Sequence, residues 1–352
     1  MLKKRIAMGI LAGLLACSFI AGCGGDKGTS EPPKPKPIAA DLKDLPNKDI
    51  KAGGRTFKLF ALKNNSKVRL ENSYGKGMKL AVVGRDMIYA NVKDRLVQMQ
   101  WDKDGLRMLD NNVDSMSGNA KISSDGTRGI FYTNKRMRLN YFDSETKRIE
   151  EAQGRFNNLV VIPKGNADKA LIWMNQGEMR KVDLRNGYRV GKDLGTVRKE
   201  SRSRDAEDKD KINIPQSVVA DRNGDFYVGG NARIGTQDVG LVSVYDFNGK
   251  QKRVIGKEKR EDSNAINSLT DIALTDEYLV VSDSSVDKQQ LQIYRKNTGT
   301  LVGTVSYKDL TDNKETSIGA CVNLANMPDN RVLVALSNDR KNVDDEFFIL
   351  QL

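Results

Sequence analysis

The sequence predicts an all-β chain, and three observations carry that prediction. Short apolar runs recur from residue 56 to residue 352. Polar clusters rich in Gly, Asp and Asn separate them, which are the residues that tight turns favour. Almost no stretch shows the 3.6-residue periodicity of an amphipathic helix. The runs also repeat as a unit: a strand, a short polar turn, a second strand, a gap, and a third strand that ends in another polar turn.

Taken in order, the second strands of these units are expected at residues 87–91, 130–134, 171–175, 226–230, 279–283 and 332–336. The turns before them include Ser124-Asp125-Gly126-Thr127, Asp221-Arg222-Asn223-Gly224-Asp225 and Pro328-Asp329-Asn330-Arg331. Glycine supplies positive φ there, and Asp or Asn bonds the local backbone. Third strands follow at 95–101, 137–143, 178–184, 241–247, 290–296 and 347–352, and the first five continue into a fourth strand, as at 251–255 and 301–306. Six units of up to four strands fit a six-bladed β-propeller, because radial repetition leaves only short, protected sheet edges. The sixth unit stops after its third strand, while residues 56–62, with Phe57 and Phe60, form an unmatched strand at the other end. Pairing it as the outer strand of the last blade closes the ring and covers an exposed edge. A seventh blade would have to lie within 185–216, which is too charged to hold four strands.

Two segments resemble known propeller repeats. Ile214-Pro215, Val218-Val219-Ala220-Asp221, Gly224 to Val228 and Leu241 to Gly249 look like an NHL-type repeat, with a looser second copy from Asp271 to Gly299. Ile122-Ser123-Ser124-Asp125-Gly126-Thr127 and the strand after it resemble the repeats of TolB-like propellers. The resemblance covers about half of the chain that follows the leader, and it implies a propeller rather than an activity.

The N-terminus gives the location. Ile20-Ala21-Gly22-Cys23 follows Lys3, Lys4 and Arg5 and an uncharged apolar run from Ile6 to Phe19. The pattern resembles the signal peptide of bacterial lipoproteins. Such a resemblance implies diacylglycerol on the Cys23 thiol, cleavage after Gly22 and acylation of the new amine. An uncleaved membrane anchor is the alternative, but the run is well short of the roughly 20 residues that a spanning helix needs. Residues 1–22 are therefore read as a lipoprotein signal peptide, 23–54 as the lipidated cysteine and a flexible linker, and 55–352 as the propeller domain. The linker holds Gly24-Gly25, Ser30 and the run Pro32-Pro33-Lys34-Pro35-Lys36-Pro37, a composition that cannot bury enough surface to order itself. As a coil it reaches about 30 Å. The expected location is the cell membrane or outer membrane, lipid-anchored and facing outside the cytoplasm. Gly24 stands where some diderms place an inner-membrane retention aspartate, which favours the outer location.

Composition excludes several chemistries. Removing residues 1–22 from the 352 leaves 330, with Cys17 lost, Cys23 lipidated and Cys321 as the single free thiol, so no intramolecular disulfide can form. Cys321 lies in an apolar run and reads as a small buried hydrophobe. The chain has no histidine, which removes Ser–His and Cys–His catalysis and His-ligated metals. Of the formal charge of +12, residues 51–100 carry 11 basic and 3 acidic side chains, while 151–352 carry 30 of each. That segment reads either as a solvated face or as a patch for anionic envelope material.

Several second strands end in Asn91, Asn134, Asn175 or Asp283, with Asn231 and Asn338 close by in the last alignments. A ring of amides of this kind suits sugar hydroxyls or a peptide backbone, although Asn and Asp also simply end strands well. Asp221-Arg222-Asn223-Gly224-Asp225 has the letters of a calcium loop without its bidentate Glu, and reads as a hairpin turn. Residues 198–211 mix both signs, unlike a nucleic-acid site. Propeller resemblance also implies that the loops between blades share one face with those joining second to third strands. These loops are placed at 195–216, 231–240, 256–269, 284–289, 306–320 and 338–346.

With no catalytic motif, no metal site and no cofactor beyond the lipid on Cys23, the expected role is a binding scaffold. Its partners are the membrane through the anchor and an envelope protein or glycan, with no nucleic acid and the chain a monomer. The alternative is a metal-dependent, lactonase-like hydrolase with its site in the channel, for which no residue-by-residue match is found.

Overall fold

The computed structural model describes residues 41–70, 77–117, 120–151, 158–161, 169–173, 178–183, 189–196, 212, 214–234, 237–256, 264–312, 322–337 and 343–352. All of them belong to one compact unit that spans Ile38–Leu352. The chain is an all-β propeller. Its first hairpin is β1 (Asn47–Ala52) with β2 (Arg55–Leu62). Blade one is β3 (Leu80–Val83), β4 (Met87–Val92), β5 (Arg95–Asp102) and β6 (Gly105–Ser115). Blade two is β7 (Ile122–Ser124), β8 (Gly129–Thr133), β9 (Leu139–Asp143) and β10 (Ile149–Glu151). Blade three is β11 (Asn158–Val161), β12 (Lys169–Trp173), β13 (Glu178–Asp183) and β14 (Arg189–Thr196). Blade four is β15 (Ile214–Ala220), β16 (Phe226–Ile234), β17 (Gln237–Tyr245) and β18 (Gln251–Ile255). Blade five is β19 (Leu269–Leu274), β20 (Tyr278–Asp283), β21 (Gln290–Arg295) and β22 (Leu301–Ser306), followed by the short helix α1 (Tyr307–Leu310). The chain ends in β23 (Val322–Met327), β24 (Arg331–Leu336) and β25 (Glu346–Gln351).

These blades are five regular four-stranded antiparallel sheets, and the remaining strands make one composite sheet in the order β1-β2-β25-β24-β23. The expectation of a six-bladed propeller closed by one N-terminal strand is corrected accordingly: there are five blades, and a five-stranded sheet closes the ring. The reason is local. Gly53 and Gly54, both at positive φ, make a two-residue turn between Ala52 and Arg55, so the N-terminal segment enters the sheet as a hairpin rather than as one strand. The expected linker boundary moves for the same reason. Leu42 and Leu45, within the 23–54 segment, are buried against the first blade, and β1 begins at Asn47.

The closing ladder pairs Lys58 with Gln351 and runs to Leu62 opposite Phe347. Strand β2 is buried on both faces, in the alternation that a strand imposes. Phe57 and Leu59 pack with blade five, whereas Phe60 and Leu62 pack with blade one. The Phe57 ring meets Tyr278 edge-on at 6.0 Å, and Arg55 Nη1 donates to Tyr278 Oη at 2.7 Å. At the hairpin tip the backbones of Gly53 and Gly303 touch, so closely that a Cβ on Gly303 would lie 2.3 Å from Gly53 N.

Elsewhere, neighbouring sheets share apolar clusters, which explains why the second and third strands read as nearly continuous apolar runs. Strand β20, for example, is buried at every position. The turns from first to second strands are fastened by single carboxylates. Asp125 Oδ1 accepts from the amides of Thr127, Arg128 and Gly129, and Asp221 Oδ1 accepts from Asn223 and Asp225. The stretch expected as a loop at 231–240 is instead an extension of the β16–β17 hairpin, whose pairing continues to Ile234 opposite Gln237.

Phe60→Ala should lower the unfolding free energy by about 3–5 kcal/mol, the usual consequence of truncating a buried aromatic. Deleting residues 24–37 should leave the denaturant midpoint unchanged. Chemical denaturation of the two variants checks this, and equal midpoints would refute the closing role of β2.

Candidate functional site

Each inner strand starts where its second strand ends, as in the pairing of Leu80 with Ala90 and of Leu269 with Asp283. One end of the ring, the loop end, therefore carries the connections between blades. The other, the turn end, carries the tight turns from first to second strands. The inner strands adjoin one another around the axis in the order β3, β7, β11, β15, β19, β23 and back to β3.

The loop end is stoppered by the chain itself. Gly77 and Met78, both at positive φ, lie across the inner strands. Met78 N donates to Asp271 Oδ2 at 3.2 Å, and its sulfur accepts from Val218 N at 3.3 Å. Met78 O accepts from Ile122 N at 2.9 Å, which adds a third blade. Gly77 has no room for a side chain, because a Cβ would stand 2.4 Å from Thr270 O. Positive φ at a methionine costs about 1 kcal/mol or more, and these contacts hold it there.

Two buried charged residues serve the stopper. Lys121 Nζ donates to Gly77 O at 2.7 Å and to Gln216 O at 3.1 Å. Asp271, fully buried, accepts from the amides of Met78, Ile272 and Leu324. Burial pushes its carboxyl up to about 6, against the opposing pull of the Leu324 amide, the Ser217 hydroxyl and the Lys121 charge. Lys79 beside them is pulled down to about 8 by burial, with Asp94 opposing.

Beyond the stopper, a cavity of about 110 Å³ lies along the axis, lined by apolar residues of β3, β7, β15, β19 and β23 with Met78 and Asp271 at its closed end. It shares Val82, Gly126, Ala220 and Asn326 with a vestibule of about 180 Å³ at the turn end, so the two form one funnel. Charged residues of both signs ring the vestibule. Arg222 approaches Asp276 at 3.5 Å and the buried Lys296 approaches Asp221 at 3.8 Å, while Asp329 of the rim approaches Arg85, outside the lining, at 3.9 Å. Each contact joins neighbouring sheets, and Asn330 Oδ1 accepts from Asp276 N at 3.0 Å across another seam.

Of the expected ligand residues, Asn91, Asn134, Asn231 and Asp283 lie at the loop end, away from this funnel, and each has a local bonding role. Asn91 Nδ2 donates to Ser117 O at 3.0 Å and Ala120 O at 3.3 Å, holding the connection from blade one to blade two. Asn231 clasps Leu269 of blade five, donating to its carbonyl at 3.3 Å and accepting from its amide at 3.0 Å. The Asp283 carboxylate accepts from the amides of Asn267, Ser268 and Ser285. Asn134 Oδ1 accepts from Arg136 N and Arg138 N in its own turn, and its Nδ2 donates to Glu151. They are not gathered into one ring of outward-facing amides. Asn175, Asn338, Cys321 and Cys23 lie outside the described residues.

The basic segment is likewise spread out. Lys51, Arg55 and Lys58 are on the closing hairpin, Lys79 is buried at the loop end, and Arg85 is at the turn end. Among the described residues it does not form a single patch.

No family model matches the chain, and no curated protein matches it. Among solved structures it is similar to hydrazine synthase from Kuenenia stuttgartiensis, with 13% identity and a TM-score of 0.41 over 63% of this chain. The similarity spans 56% of that chain, little more than half of its length.

Asn231→Ala should destabilise the protein by about 1–3 kcal/mol, the effect of leaving buried backbone groups unbonded, as read by chemical denaturation. Asp271→Asn should be destabilising by about 1–3 kcal/mol, because its side chain keeps one acceptor oxygen where three amides shared two. The pH dependence has a definite sign. The folded carboxyl sits at about 6 against an ordinary 3.8, so its contribution is full below the lower value and is lost as pH rises through the upper one. The stability difference between wild type and Asp271→Asn should therefore shrink across that window. A difference that grows instead would contradict this assignment.

Proposed function

We propose that this chain is an envelope lipoprotein, tethered through Cys23, whose propeller is a non-catalytic scaffold binding a protein or glycan partner. The observation that carries the binding role is the funnel: a preformed concavity, closed at one end by the Gly77–Met78 segment and rimmed at the other by exposed charges. Sites of this kind, mostly apolar with a few convergent polar groups, are where ligands bind on rigid scaffolds. The carboxylate at its base, Asp271, is engaged by backbone amides rather than held ready for a proton transfer or a metal. The repeats are read as NHL-type and TolB-like, which agrees with a binding module. The lipobox, Ile20-Ala21-Gly22-Cys23, supports the anchor. Among the described residues no helix is long and apolar enough to cross a membrane.

Cys23→Ser should abolish lipidation, leave the precursor uncleaved at that position and release the protein from the envelope membrane fraction. Mass spectrometry of the N-terminus and fractionation test it, and a wild-type N-terminus without lipid would sink the tethered reading. The scaffold role is tested by affinity capture from the native envelope, comparing wild type with Arg222→Ala. A partner lost on that substitution supports the funnel mouth as the binding surface.

A further inference from the structure

The funnel combines two chemistries in series. Its deep part is narrow and walled by aliphatic side chains, among them Val82, Ile122, Val218 and Leu324. Its mouth presents the Asp276 and Asp329 carboxylates together with the Arg222 guanidinium. We propose that it is a binding site for a free aliphatic α-amino acid, with the side chain in the channel and the ammonium and carboxylate groups among the rim charges. This assignment rests on the reading of the propeller as a binding scaffold.

Size decides the side chain. The deep cavity of about 110 Å³ is smaller than the roughly 150 Å³ that holds a benzene ring. That size favours a branched four-carbon chain over an aromatic ring. The stopper at Met78 and Asp271 sets the depth, so a longer chain cannot thread through the ring.

Charge decides the head group. The Arg222–Asp276 and Arg85–Asp329 contacts, at 3.5 and 3.9 Å, are longer than the roughly 2.7–2.9 Å of a charge-assisted hydrogen bond. Their donors and acceptors are not saturated by one another, and these side chains are about half exposed or more. A simple cation or anion entering the vestibule meets a like charge beside each opposite one. A zwitterion satisfies both signs. At the neck between the two cavities, Asn326 Oδ1 accepts from Leu274 N at 2.8 Å. Its Nδ2 bonds no described residue and is a donor for a carboxylate oxygen.

Isothermal titration of the full chain with L-leucine tests the proposal. Saturable binding is expected. Leucinamide, which lacks the carboxylate, and isocaproate, which lacks the ammonium, should each bind at least about tenfold more weakly, because each loses its charge-assisted bonds. Phenylalanine should not compete. Arg222→Gln and Asp276→Asn lie on exposed turns and should weaken leucine about tenfold without shifting the melting temperature. Ala220→Leu, which fills the neck, should abolish binding, and a melting curve confirms that this variant folds. Absence of leucine binding to wild type overturns the proposal. So does equal affinity for leucine and leucinamide, or undiminished binding by a folded Ala220→Leu. Loss of the ligand assignment while an envelope partner is still captured leaves the scaffold reading standing. Leucine binding without any captured partner keeps the propeller a binding module and overturns only its protein or glycan partner.

Discussion

The antiparallel pairing of β2 with β25 joins the first hairpin of the ring to its last strand in one ladder, and the rest of the ring depends on it. A propeller has no central layer. Each sheet is held by its two neighbours, so a missing neighbour exposes two apolar faces at once. Here the strand at that position is apolar on both sides, with Phe57 and Leu59 turned to blade five and Phe60 and Leu62 to blade one. The Gly53–Gly303 backbone contact fixes how deeply the hairpin seats. Closure also brings β23 beside β3, which completes the wall of the funnel.

Much of the fold was legible in the sequence, because each second strand is a short apolar run bounded by turn residues. Residues 226–230 and 279–283 fall within β16 and β20, and the strand at 56–62 falls within β2. The missed features have specific causes. Strand β1 reads as Asn-Lys-Asp-Ile-Lys-Ala, too polar to announce itself, because only Ile50 and Ala52 face the core. The signal that was available is Gly53-Gly54 between two extended segments, a strong hairpin marker. The β16–β17 extension was masked by glycines and charged residues, which mimic a loop where a hairpin projects beyond its sheet.

The site was far less legible. Asn91, Asn231 and Asp283 stand out in sequence because they end or directly follow the expected second strands, but in space they bond backbone amides and carbonyls. The same polarity that suits a ligand also suits a buried loop that needs its backbone bonded. The funnel has no local signature at all. Its wall takes a few residues from each of several distant strands, and its stopper, Gly77–Met78, is two residues whose importance lies in what they touch.

The closing hairpin carries a consequence for how the chain reaches its fold. Strand β2 is made well before its partner β25, so two aromatic residues wait while all the intervening blades are made. Pairings between such distant segments form slowly, and unpaired apolar strands are hazardous in the interval. The charge excess of this segment finds a physical reading here. Lys51, Arg55 and Lys58 are exposed and interleave with the buried Ala52, Phe57 and Leu59. Such interspersed charges act as gatekeepers against self-association. They keep the waiting hairpin soluble in the nascent chain and remain at the surface once the ring has shut.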